Sequence, residues 1–105
     1  MIDIVMDILG LTPKVDYAQL LKEGAIIVDV RTKGEYAGGR VKGSINIPLD
    51  QLKVNLGKLK SKEQVIITCC ASGMRSASAK GILQQEGYAN VYNGGSWHKL
   101  EQYGK

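Results

Sequence analysis

Two short apolar runs constrain the fold of this chain more than anything else in it. Ala25-Ile26-Ile27-Val28-Asp29-Val30 and Val65-Ile66-Ile67-Thr68 are rich in β-branched residues and do not alternate apolar with polar. A strand with one wet face shows that alternation, whereas a strand covered on both faces does not. Both runs are too short for a core helix. They read as strands of a parallel sheet, and such a sheet needs helices on both faces, an α/β fold.

The intervening segments supply those helices. Asp16 is placed to cap a helix over residues 17–23, with Tyr17, Leu20 and Leu21 inward and Gly24 closing it. Residues 31–43 hold four glycines and read as a loop with one helical turn. Ser44–Ile47 reads as a short strand, and Pro48 opens a helix through about Leu56. Residues 76–86 form a further helix, with Ala79, Ile82 and Leu83 inward and Gly87 past its end. Asn90–Tyr92 reads as a third strand, closed by Asn93-Gly94-Gly95, and the last ten residues suit a short helix. At the start, Ile2, Val5, Met6 and Leu9 share one helical stripe that Gly10, Thr12 and Pro13 end. Residues 1–13 thus read as a helical extension over an apolar patch, and residues 14–105 as the domain.

The bulk properties exclude several classes. With 105 residues, the chain fits one domain. Its formal net charge of +4 favours small anions. Lysines and arginines are scattered, with no basic run interleaved with aromatics, so no nucleic-acid partner is expected. The first residues lack a basic polar face, are too short to span a bilayer and carry no basic leader, so neither a membrane partner nor a signal peptide is expected. The two cysteines, Cys69 and Cys70, are adjacent. Neighbouring cysteines rarely pair, so both thiols read as free, which fits a reducing compartment, the cytoplasm. One histidine and two adjacent cysteines lack zinc-ligand spacing, so no metal is expected.

Chemistry concentrates in Thr68-Cys69-Cys70-Ala71-Ser72-Gly73-Met74-Arg75-Ser76, where a buried strand passes into a helix. Such a junction points backbone N–H groups outward, and the helix dipole adds partial positive charge. Small residues let the loop curl so that consecutive N–H groups converge on one point, a nest for an anion. A cysteine at the start of that nest has its thiolate stabilised and becomes a nucleophile without a dedicated base. Cys70 occupies that position. The cradle Ala71, Ser72, Gly73, Met74, Arg75 and Ser76 would hold an anionic substrate, with Arg75 adding a permanent charge.

The loop Cys70-Ala71-Ser72-Gly73-Met74-Arg75-Ser76 resembles the rhodanese active-site loop, C-x-x-G-x-R-S. Asp29-Val30-Arg31 with Glu35-Tyr36, then Gly39, Val41, Gly43, Ser44, Asn46, Ile47 and Pro48, resembles the first signature of that family. Gly87-Tyr88, Val91, Tyr92 and Gly94-Gly95 resemble the pattern that ends its domain. The likeness runs from about residue 15 to the C-terminus. It implies a small five-stranded parallel sheet with helices on both faces. It also implies transfer of a sulfane sulfur from a donor such as thiosulfate, through a Cys70 persulfide, to an acceptor such as cyanide or a thiol, a protein thiol included. No metal or organic cofactor is implied. One departure stands out: the family carries His where this chain has Arg40. Arg40 either strengthens anion attraction at the site mouth or replaces a structural hydrogen bond.

Other residues have plainer readings. Strand alternation turns Cys69 to the side opposite Cys70, which favours packing over a resolving role. Arg75 is read as touching substrate or loop charge, pairing with a carboxylate, or both. Asp29, Arg31 and Glu35 follow a central strand and read as an ion-pair network supporting the catalytic loop, with Arg40 and Lys42 on a solvated rim. Met74 is placed to offer an apolar contact to the pocket. His98, beside Trp97, reads as a surface or packing residue. Two functional alternatives remain. Cysteine phosphatases use C-x5-R, one residue longer than the spacing here, and Cys70 lacks an acid partner for a leaving group. A persulfide carrier or interaction module for a partner protein would use the same residues.

Overall fold

The computed structural model describes residues 15–104. The expected helical extension over residues 1–13 therefore lies outside the described residues. Four strands, β1 (Ile26–Asp29), β2 (Ile45–Asn46), β3 (Ile66–Cys70) and β4 (Val91–Ser96), form one parallel sheet in the order β2-β1-β3-β4. The helices are α1 (Tyr17–Lys22), α2 (Lys33–Ala37), α3 (Met74–Gln85) and α4 (Trp97–Leu100), with 3-10 turns at Leu49–Gln51, Lys53–Lys58 and Glu101–Tyr103.

Among the described residues, four strands stand where the family resemblance implied five. Every extended apolar run among the described residues is already used. The long connection from β2 to β3 is spent on 3-10 turns and charged residues, not on another strand. The same connection corrects the expected helix from Pro48 to Leu56: Asn55 leaves helical geometry at φ −117°, and only 3-10 turns form.

The central strands are buried on both faces, as their composition demands. Val28, Ile66 and Cys70 face a layer with Leu52, Leu59, Ala79 and Leu83. Ile27, Ile67 and Cys69 face the other, with Val41 and Leu100 and the half-buried Leu20 and Leu21 of α1. Each fully buried aliphatic side chain contributes about 1.5–3 kcal/mol relative to exposure. The expected cap forms, and a second appears that the sequence reading did not name. Asp16 accepts from the Gln19 N–H at 3.0 Å at the start of α1. Thr32 and Glu35 close a capping box around α2, giving the loop of residues 31–43 its helical turn.

β4 is longer than expected. Asn93-Gly94-Gly95 does not end the strand but lies within it. Thr68 pairs with Asn93 and Cys70 with Ser96, so β4 carries one extra residue there, a bulge beside the end of β3. Gly95, at φ +78°, supplies the left-handed backbone that the bulge uses. The strand order also fixes where a ligand can enter. From β1 the chain moves outward to β2 and then crosses back to β3 on the other side. The carboxyl ends of β1 and β3 therefore flank a topological switch point, the usual ligand crevice of an open parallel sheet.

Candidate active site

Cys70 ends β3 at that switch point, and Ala71, Ser72 and Gly73 join it to α3. Gly73 sits at φ +99°, which turns the chain so that the first helical N–H groups aim back at the sulfur. The Gly73 N–H donates to Cys70 Sγ at 3.0 Å and the Ser76 N–H at 3.3 Å. Helix α3 has no side-chain cap, so the sulfur takes over part of that task. The Cys70 thiol in turn donates to Ser76 Oγ at 3.5 Å. Burial opposes ionisation of Cys70 and is the largest single influence on it. The Ser76 hydroxyl and the N–H groups of Ser76, Gly73 and Ser72 together outweigh it, and the thiol lies below its ordinary pKa.

Cys69 has the opposite environment. Burial pushes its thiol up, and the neighbouring Asp29 carboxylate pushes it further. It packs among Ile67, Val41 and Leu100 on the far face of the sheet.

The remaining charged residues form one chain of contacts. Arg31 is buried, with its Nε and Nη2 on the Asp29 carboxylate at 2.7–3.0 Å. Burial alone would lower its pKa, but the hydrogen bonds to Asp29 raise it. It also donates to the carbonyls of Glu35 at 3.2 Å and Gly39 at 2.6 Å, so it holds the middle of α2 and the turn that follows it. Its guanidinium lies 4.5 Å from the Trp97 ring centre. Glu35 then grips Arg75 in a two-pronged pair at 2.7 and 2.9 Å. The Arg75 hydrogen bonds are the main cause that draws the Glu35 carboxyl down to about 2. Arg75 thus presents its fork to Glu35.

Other loop residues lie elsewhere. Met74, expected to offer an apolar contact to the pocket, is 78% exposed and does not wall the cleft beside Arg75. Ala71 and Ser72 are exposed, while Cys70 itself is buried. Arg40 is exposed and stacks 5.2 Å from the Tyr36 ring centre. A cleft of about 310 Å³ opens beside Arg75, walled by Val30, Thr32, Pro48, Leu49 and Asp50.

Two residues that sequence reasoning did not single out complete the loop. Thr68 donates to the Ser76 carbonyl at 2.9 Å and ties the start of α3 to β3. Asn93 bonds Ser76, Gly73 and Gly95. The sequence did carry a local sign for Asn93, since Asn before Gly-Gly favours a bond to the N–H two residues on. Its contact with α3 had no local sign.

The family model for the rhodanese-like domain matches residues 14–101. The chain belongs to the rhodanese-like family. Among curated relatives of this rhodanese-like chain, a sulfurtransferase of Allochromatium vinosum is 32% identical over 71 residues, 68% of this chain and 65% of the relative. The thiosulfate sulfurtransferase PspE of Escherichia coli is 36% identical over 69 residues, covering 65% of this chain and 66% of the relative. The rhodanese-like chain thus spans just under two thirds of each of these relatives. Among solved structures, a rhodanese with anions from E. coli superposes with a TM-score of 0.68 at 32% identity, over 72% of this chain and 91% of that one. Among the described residues no helix is long and apolar enough to cross a membrane.

Proposed function

We propose that the protein is a sulfurtransferase that carries sulfane sulfur on Cys70. The Cys70 thiolate attacks the outer sulfur of an anionic donor such as thiosulfate. A new S–S bond forms, the donor S–S bond breaks, and sulfite departs with its electron pair. The resulting persulfide passes its outer sulfur to a thiophilic acceptor, cyanide or a thiol, and Cys70 leaves as thiolate. The observation that carries this reading is the convergence of the Gly73 and Ser76 N–H groups on Sγ at 3.0 and 3.3 Å. The same donors that favour a thiolate favour an anionic persulfide. The two free thiols fit work in the reducing cytoplasm.

A phosphatase reading gains nothing from the geometry, because the Arg75 fork that would clasp phosphate is occupied by Glu35. A persulfide carrier serving a protein thiol would use the same Cys70 and the same N–H donors.

The test is incubation with thiosulfate, followed by intact mass and by thiocyanate release on adding cyanide. The expected outcome is a gain of one sulfur atom that Cys70→Ser abolishes and Cys69→Ser retains. Absence of loading from thiosulfate and from other sulfane donors sinks the proposal. Stoichiometric loading with little thiocyanate favours the carrier.

A further inference from the structure

Ser76 carries one hydroxyl hydrogen and has three polar neighbours for it. Its Oγ lies 2.6 Å from Asn93 Oδ1, 3.1 Å from the Gly73 carbonyl and 3.5 Å from Cys70 Sγ. The Asn93 amide has a fixed orientation. Its Oδ1 accepts from the Gly95 N–H at 2.9 Å, and its Nδ2 donates to the Gly73 carbonyl at 3.3 Å. Turning the amide over would set donor against donor and acceptor against acceptor. Asn93 Oδ1 and the Gly73 carbonyl are both acceptors, so the Ser76 hydrogen goes to one of them, and Asn93 is the nearer. Ser76 then shows Cys70 a lone pair. That suits a thiol, which donates its S–H, and not a sulfur anion, which only accepts. When the sulfur becomes an anion, the hydroxyl has to swing from Asn93 to Sγ.

We propose that Asn93 is a positioning residue for the sulfur chemistry, holding the Ser76 hydroxyl hydrogen while Cys70 is a neutral thiol and yielding it when the sulfur becomes an anion. The inference rests on Cys70 as the nucleophile and adds the partner that competes with it. The thiol proton leaves to solvent, and the hydroxyl only rotates. The charged and titratable groups around Cys70 are few. Arg75 on α3 is neutralised by Glu35 of α2, the Asp29–Arg31 pair closes the end of β1, and Cys69 faces the other layer. Among the described residues, β4 brings the neutral Asn93, Gly95 and Ser96 against the loop and the end of β3. Removing the Asn93 amide leaves all these charges in place.

The experiment measures alkylation by iodoacetamide against pH in a Cys69→Ser background, so that one thiol reports. Asn93→Ala should shift the midpoint to lower pH and raise the rate below it by roughly threefold to tenfold, the size of one neutral hydrogen bond. Ser76→Ala should shift the midpoint upward, and adding Asn93→Ala to it should change nothing further. The proposal is overturned if Asn93→Ala leaves the midpoint unmoved, or if it acts equally with Ser76 absent. Should Asn93→Ala lose its fold by circular dichroism, the uncharged, near-isosteric Asn93→Leu carries the test. It accepts nothing from the Ser76 hydroxyl, so the midpoint should fall; an unmoved or raised midpoint refutes the idea. Alkylation uses no sulfur donor, so this outcome is independent of whether thiosulfate loads Cys70.

Discussion

Cys69 and Cys70 are the same chemical group one residue apart, and neither has exposed surface, yet their surroundings push them in opposite directions. The difference comes from strand alternation, which sends one thiol toward the start of α3 and the other into an apolar layer beside Asp29. Burial disfavours both anions, but only Cys70 meets N–H donors that offset it. Limited iodoacetamide near neutral pH should therefore label Cys70 and spare Cys69. Peptide mapping checks this: Cys70→Ser should lose nearly all label and Cys69→Ser should keep it. Equal labelling of the two would mean that the loop does not activate its cysteine. This contrast was legible in the sequence, because adjacency within a strand and a small-residue loop after it are local facts. The role of Asn93 was not, because its bond to Ser76 joins positions 17 residues apart.

Among the elements, α2 and α3 are tied by the Glu35–Arg75 pair, whose members are 40 residues apart in sequence. Arg31 anchors α2 to β1, so the pair links the end of β1 to the helix that carries the sulfur nest. Asp16 announced the start of α1, whereas the capping box of Thr32 and Glu35 went unread although its spacing is local. No local pattern announced which cation Glu35 would hold. Glycine misled in the other direction: Asn93-Gly94-Gly95 has the composition of a turn, and only its pairing with Thr68 and Cys70 makes it a bulge inside β4. The pair has a consequence for acid stability. The folded-state pKa of Glu35 is depressed from 4.5 to about 2, so its stabilisation is complete above the unfolded value and is lost as pH falls toward the folded one. Urea midpoints measured from pH 5 down to pH 2 should fall across that window in the wild type. Glu35→Gln should flatten that part of the profile and lower stability at neutral pH by a small amount, since the pair is partly exposed. A variant with the wild-type slope would show that the pair contributes nothing measurable.

At the scale of the whole molecule, the sheet and the layer holding Ile67 and Leu100 meet at Gly94. A Cβ there would lie 2.8 Å from Ile67 Cγ2, 2.9 Å from Leu100 Cδ1 and 2.9 Å from the Thr68 carbonyl oxygen. The first two are side-chain ends, but the third is backbone of the strand that ends in Cys70 and cannot turn aside. Gly94→Ala therefore has to push β4 away from β3. Thr68 also holds the Ser76 carbonyl, so the displacement passes into the start of α3 and loosens the donors on the sulfur. Overpacking of this kind costs about 1–3 kcal/mol. For a domain of this size that lowers Tm by roughly 4–8 °C for each kcal/mol. Alkylation of Cys70 should slow in the same variant, because misaligned N–H groups stabilise the thiolate less. Gly57→Ala is the control, since a Cβ at Gly57 meets nothing within 4 Å. It should stay within about 0.5 kcal/mol of wild type. If Gly94→Ala melts with the control and keeps its reactive thiol, the contact between β3 and β4 is not what holds the catalytic loop in register.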